Sequence, residues 1–119
     1  MDAAYQRQWN EQLVHRALWE RCTGRDEHSR PIYDPPVPIR CFVEDISLAR
    51  VLSAQERGVT LNYSMLLAGN QEVNNDDRFT KATDRGGTAL FPSAVVIRVV
   101  NDDHRREGRV WRTAYLQLQ

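Results

Sequence analysis

Val37-Pro38-Ile39-Arg40-Cys41-Phe42-Val43-Glu44-Asp45 decides the fold. Val37, Ile39, Cys41 and Val43 point one way from an extended chain, while Arg40, Phe42 and Glu44 point the other. The same period of two returns in Val59, Leu61, Tyr63, Met65 and Leu67, interleaved with Thr60, Asn62 and Ser64. Apolar-in, polar-out alternation is what a half-buried antiparallel sheet requires. Two such ribbons at short spacing predict a mainly β protein, a small antiparallel barrel or sandwich.

Working outward, Val14 to Cys22 reads as a first strand, with Ala17, Trp19 and Arg21 opposite Leu18, Glu20 and Cys22. A polar loop from Thr23 to Arg30 follows, then Pro31-Ile32-Tyr33-Asp34-Pro35-Pro36, which the prolines hold extended and confine to a sheet edge. The second strand is Val37 to Asp45. Between Asp45 and Gly58 the period changes to that of a short helix, with Asp45 or Ser47 as N-cap and Gly58 as C-cap, or of a long loop. The third strand, Val59 to Leu67, ends at Gly69-Asn70, and a fourth spans Arg78 to Thr83. After the turn Asp84-Arg85-Gly86-Gly87 come Thr88 to Phe91 and Ala94 to Val100, separated at Pro92. Asn101 to Gly108 reads as a charged hairpin loop, and Val110 to Leu118 as the last strand. Ahead of all this, Tyr5, Trp9 and Leu13 mark one face of a terminal helix or an arm that orders on assembly. The division expected is residues 1–13 as arm and 14–119 as one β domain.

The 119 residues suffice for one domain with one core. No apolar run approaches the roughly 20 residues that span a bilayer, so no membrane partner is expected. Met1 to Asn10 lacks the apolar core of a signal peptide, which points to synthesis in the cytosol. The 16 basic and 16 acidic residues cancel, which argues against a dedicated nucleic-acid binder. Lys81 is the only lysine. A GC-rich genome gives that bias, and so does selection for contacts between subunits, where the guanidinium fork grips carboxylates.

Chemistry-bearing constellations are scarce. Cys22 and Cys41 are too few for a disulfide framework, although a hairpin could bring them near each other. His15, His28 and His104 are scattered without ligand spacing, so neither metal nor cofactor is expected. Asp76-Asp77 and Asp102-Asp103 stand in turn contexts, where aspartate bonds nearby backbone amides. There is no Gly-x-Ser-x-Gly elbow and no phosphate-cradling glycine loop. Arg105, Arg106 and Arg109 cluster beside His104, as a solvated hairpin tip or a weak phosphate contact. A protein that works by contact rather than catalysis is the reading.

The order of these segments resembles the head-closure proteins of tailed phages, also called head-to-tail stopper or connector proteins. The residues that carry the resemblance are Pro31-Ile32-Tyr33-Asp34-Pro35-Pro36-Val37 after a polar hairpin, then Ile39-Arg40-Cys41 with a following aromatic and acid. Later come a Val/Leu/Tyr strand, a turn before Arg78-Phe79 that has Asp76-Asp77 where the family often has Gly-Asp, and two closing strands joined by a charged hairpin. The similarity covers roughly residues 14–118. It implies a small β-barrel and a virion protein without enzymatic activity. Such proteins assemble as a homo-oligomeric ring, of six or twelve copies, below a portal and adaptor and above a tail terminator or tail tube. Packaged double-stranded DNA fills the channel.

By the same resemblance, the segment after the second strand projects to that channel, which would employ Ile46, Ser47, Leu48, Arg50, Leu52, Gln55, Glu56 and Arg57. Tyr5, Trp9, Arg105, Arg106, Arg109 and Trp111 are candidates for contacts between subunits or partners, as are Trp19, Arg50 and Arg57, all read as lying outside the core. A tail terminator or other neck ring protein is the nearest alternative. A small β-barrel module for nucleic acid or a ligand is the alternative of another class, recruiting Tyr63, Phe79 and Tyr115 as exposed aromatics.

Overall fold

The computed structural model describes residues 13–68, 71–104 and 109–119; the side chains of Leu48 and of residues 101–104 and 109–111 lie outside that description. Among the described residues, eight strands and one helix follow in the order β1 (His15–Glu20), β2 (Cys22–Arg25), β3 (Pro31–Tyr33), β4 (Val37–Asp45), α1 (Leu48–Glu56), β5 (Tyr63–Ala68), β6 (Arg78–Thr83), β7 (Ala89–His104) and β8 (Arg109–Leu118). Six of the strands close an antiparallel barrel in the circuit β1-β4-β5-β8-β7-β6. Closure is made by β1, which pairs with β4 on one side and with β6 on the other. The mainly β barrel implied by the alternation is therefore what the chain forms.

Alternation fills the barrel. Ile39, Cys41 and Val43 of β4 and Met65 and Leu67 of β5 point inward with Phe79, Ala94, Val96, Ala114 and Leu116. Phe79, Met65, Leu67 and Leu116 are fully buried, so the interior is packed by side chains. Val37 departs from the pattern and is 50% exposed, because it opens β4 at the barrel rim.

β4 and β6 begin and end where the sequence places them. Elsewhere the structure redraws boundaries. The first strand breaks at Arg21: the Cys22 amide leaves the barrel and donates to the Asp77 carboxylate at 2.8 Å. From there β2 pairs with β3 in a separate two-stranded ribbon, so the proline-flanked segment is an edge as expected, but of its own small sheet. Asp26 shapes the ribbon's tip by accepting from the His28 and Arg30 amides at 2.8 and 2.9 Å. Val59 is not strand; its amide donates to the Ala54 carbonyl in closing α1, and pairing in β5 begins only at Tyr63.

The two stretches on either side of Pro92 are one 16-residue strand. Pro92 is tolerated because β7 there pairs with β6 alone; its ladder with β8 starts at Ala94. The charged hairpin is likewise more strand than loop, since β7 runs to His104 and pairs with Arg109 at the start of β8. A bulge between Val96 and Arg98 shifts the β7–β8 register, leaving Ile97 half-buried and Arg98 exposed. The terminal helix or arm expected over residues 1–13 lies outside the described residues except for Leu13, which is buried.

Packing this complete predicts a large cost for hollowing it. Phe79→Ala lowers the unfolding free energy by about 3–5 kcal/mol in urea titrations, while Leu118→Ala at an exposed strand end stays within about 0.5 kcal/mol.

Candidate functional site

With the barrel interior filled, a site has to be built on the outside, and one concavity with an apolar and arginine-rich lining lies under α1. Ser47 caps the helix, its hydroxyl accepting from the Arg50 amide at 3.4 Å. At the other end the Gly58 amide donates to the Gln55 carbonyl at 3.0 Å and the Val59 amide to the Ala54 carbonyl at 2.9 Å. That pair of bonds is a Schellman motif, and it needs the left-handed residue that Gly58 supplies at φ +77°. Of the helix side chains described, only Ala54 is buried, so the helix rests on the barrel through a narrow contact. A second tether is Arg50, which donates to the Tyr115 hydroxyl and lies over its ring with Cζ 5.1 Å from the centroid.

Between helix and barrel is a cleft of about 380 Å³. Its walls carry Arg50, Arg57 and Arg98 with Ser53, Asn75 and Tyr115, over an apolar floor of Ala54, Val59, Leu61 and Ile97. No carboxylate lines it among the described residues. Arg57 donates to the Ser53 carbonyl and hydroxyl at 3.4 and 3.3 Å, which folds its side chain along the helix. Neither it nor Arg50 or Arg98 is ion-paired to a described carboxylate.

A second polar cluster sits across the barrel, where the ribbon meets β1 and β6. Glu20 accepts from the Arg78 guanidinium at 2.5 Å and from the Thr80 hydroxyl at 3.0 Å. Arg78 in turn stacks over Tyr33 of the ribbon, 4.1 Å from its centroid. Its Nε is buried without a hydrogen-bond partner among the described residues, so the guanidinium is held for its stacking and its single ion pair. The hydrogen bond from Arg78 holds the Glu20 carboxyl below its ordinary value, against the opposing effect of burial. Burial raises the Tyr33 phenol. Beside this cluster Asp77, fully buried, accepts from Trp19 Nε1 at 2.9 Å, the Cys22 amide at 2.8 Å and the Asn74 amide at 3.0 Å. The structural role expected of Asp77 is the one it has. Asp76, at φ +74°, occupies the left-handed conformation that glycine takes freely.

The candidates picked from sequence are thus divided. Ser47, Arg50, Leu52, Gln55, Glu56 and Arg57 are exposed on or beside α1, Ile46 is half-buried, and Leu48 begins the helix with its side chain outside the description. Tyr5, Trp9, Arg105 and Arg106 fall outside the described residues; Arg109 and Trp111 are placed in β8 by backbone alone. Trp19 is no surface residue: it faces the core, tied to Asp77. Phe79 is buried too, which removes it from any exposed aromatic platform, and Tyr63 stacks on Phe91 at 5.5 Å.

Sequence reasoning missed Arg98, Asn75 and Tyr115 as partners of the helix. The available signal was an arginine inside the apolar run Ala94 to Val100, but the bulge that turns it outward has no mark in the sequence. Cys22 and Cys41 are free thiols; burial in the barrel pushes Cys41 up to about 12. His15 is a sheet residue, its Nδ1 accepting from the Val43 amide at 2.9 Å. Among the described residues no three His, Cys, Asp or Glu side chains gather as a metal site.

No family model matches the chain. Over 87 residues, 72% of its length, the chain is 30% identical to a pyruvate kinase of Trypanoplasma borreli. It spans 17% of that relative, so the likeness carries no activity over to this chain.

The lowered Glu20 carboxyl has a definite pH signature. Its contribution to stability is present at neutral pH, begins to be lost as pH falls through the ordinary glutamate value of about 4.3, and is gone below the folded-state value. Glu20→Gln therefore costs about 1 kcal/mol at pH 7, and the gap between parent and variant narrows towards pH 3 in denaturation series.

Proposed function

We propose that this protein is a non-enzymatic ring component of a tailed-phage neck, a stopper that closes the filled head and offers the tail its attachment site. The observation that carries the proposal is the placement of the two appendages. In the circuit β1-β4-β5-β8-β7-β6, the ribbon is anchored at the β1/β6 seam, and β8, which carries Tyr115 under α1, lies across the barrel from β1. One subunit then presents two unlike surfaces on a rigid body. A closed ring with unlike neighbours above and below needs such surfaces, since its contacts are heterologous.

Each appendage also exposes an aliphatic residue that a partner would cover: Ile32 on the ribbon is 47% exposed and Leu52 on the helix 51%. In this reading residues 46–57 turn to the channel, where Arg50 and Arg57 meet packaged DNA, and the ribbon faces neighbouring ring proteins.

Phage particles made without this gene test the proposal. Negative-stain images are expected to show heads that have lost their DNA and lack tails, beside free tails. Filled heads that join tails normally would overturn it. In solution the purified chain is expected to be monomeric or weakly associated by light scattering, closing into a ring on a portal–adaptor template.

A further inference from the structure

We propose that the cleft between α1 and the β7–β8 face is a binding site for the phosphates of a nucleotide. Charge sets the ligand class. Arg50, Arg57 and Arg98 place three guanidinium groups around about 380 Å³ of open space, with no carboxylate in the lining among the described residues. A single carboxylate ligand would leave most of that positive charge unmatched. A phosphate chain carries several negative charges and accepts the planar guanidinium fork at each phosphoryl group.

The rest of the lining suits the organic part of the same molecule. Val59, Leu61 and Ile97 offer an apolar surface for a flat base, and the Ser53 hydroxyl and Asn75 amide can bond its polar edge. The site is assembled from distant parts of the chain: the helix contributes Arg50 and Ser53, its closing turn Arg57, the bulge in β7 Arg98, and β8 Tyr115. Without the extra residue at the bulge the side chain at 98 would face the barrel instead. The cation–π contact of Arg50 with Tyr115 holds that guanidinium at the cleft wall in advance of a ligand. This inference does not depend on assembly into a ring, because the cleft lies within one subunit.

Titration calorimetry on the purified full chain tests it, with ATP as one probe and a single-stranded oligodeoxynucleotide as the other. The expected result is saturable ATP binding below about 1 mM that weakens as salt is raised from about 50 to 200 mM. Arg98→Ala alone, and Arg57→Ala with Arg98→Ala, weaken it by about tenfold or more, with Arg98→Lys recovering part of the loss. Arg85→Ala, on the exposed β6–β7 turn, leaves it unchanged. If the oligonucleotide binds and ATP displaces it, the phosphates come from a nucleic-acid strand; if ATP alone binds, from a free nucleotide. Both results support the site. Absence of binding to either probe, or ATP binding that survives the double variant, would overturn it. So would an acidic peptide binding at the cleft where ATP does not.

Discussion

The ribbon hangs from one buried carboxylate. Asp77 has no contact with water, yet it carries two oxygens that must be satisfied, and it satisfies them with Trp19 Nε1 and the amides of Cys22 and Asn74. Its own backbone adds another link, for its carbonyl accepts from the Val96 amide at 2.8 Å. One residue therefore joins β1, the start of the ribbon, the loop before β6, and β7. A two-stranded ribbon of this length is marginal in water by itself. Asp77 and the Tyr33–Arg78–Glu20 stack supply what its short ladder cannot.

The closed barrel has a second consequence. Its interior is filled with Phe79, Met65, Leu67 and Leu116, and closure pairs each barrel strand on both sides, except that β7 beyond Val95 pairs with β8 alone. What remains free to recognise other molecules is the periphery: the ribbon, the helix and the long β7–β8 hairpin. Three cations, Arg50, Arg57 and Arg98, meet at the cleft beside the helix. The helix is lightly held, through Ala54 and the Arg50–Tyr115 contact, which leaves its outer face open. A rigid body with loosely attached, chemically distinct projections is a sensible form for a protein that bridges larger partners.

Residues with local patterns were legible and residues with distant partners were not. Val37 to Asp45 and Arg78 to Thr83 alternate so regularly that their strands could be read to the residue. The helix was legible only as one of two readings, with Asp45 or Ser47 as its cap; the structure settles on Ser47, with Gly58 closing the other end. Pro92 misled, since a proline forbids a ladder bond only where a second neighbour exists to offer one. Trp19 misled for a different reason: the acceptor that makes its indole acceptable in the core is 58 positions away. The arginine cleft combines both difficulties, needing a bulge with no sequence mark and a pairing of β7 with β8 to bring Arg98 beside Tyr115 and the helix.

The central claim is that Asp77 fastens the ribbon and the loop before β6 to the barrel, and hydrogen exchange on Asp77→Asn measures it most directly. An asparagine sets an N–H₂ group against an N–H donor where a carboxylate oxygen had accepted. The account predicts that amide protection in residues 22–33 and 71–77 falls by at least about tenfold, while the β4–β5 and β5–β8 ladders keep most of theirs. Equal protection of the ribbon in parent and variant would contradict it.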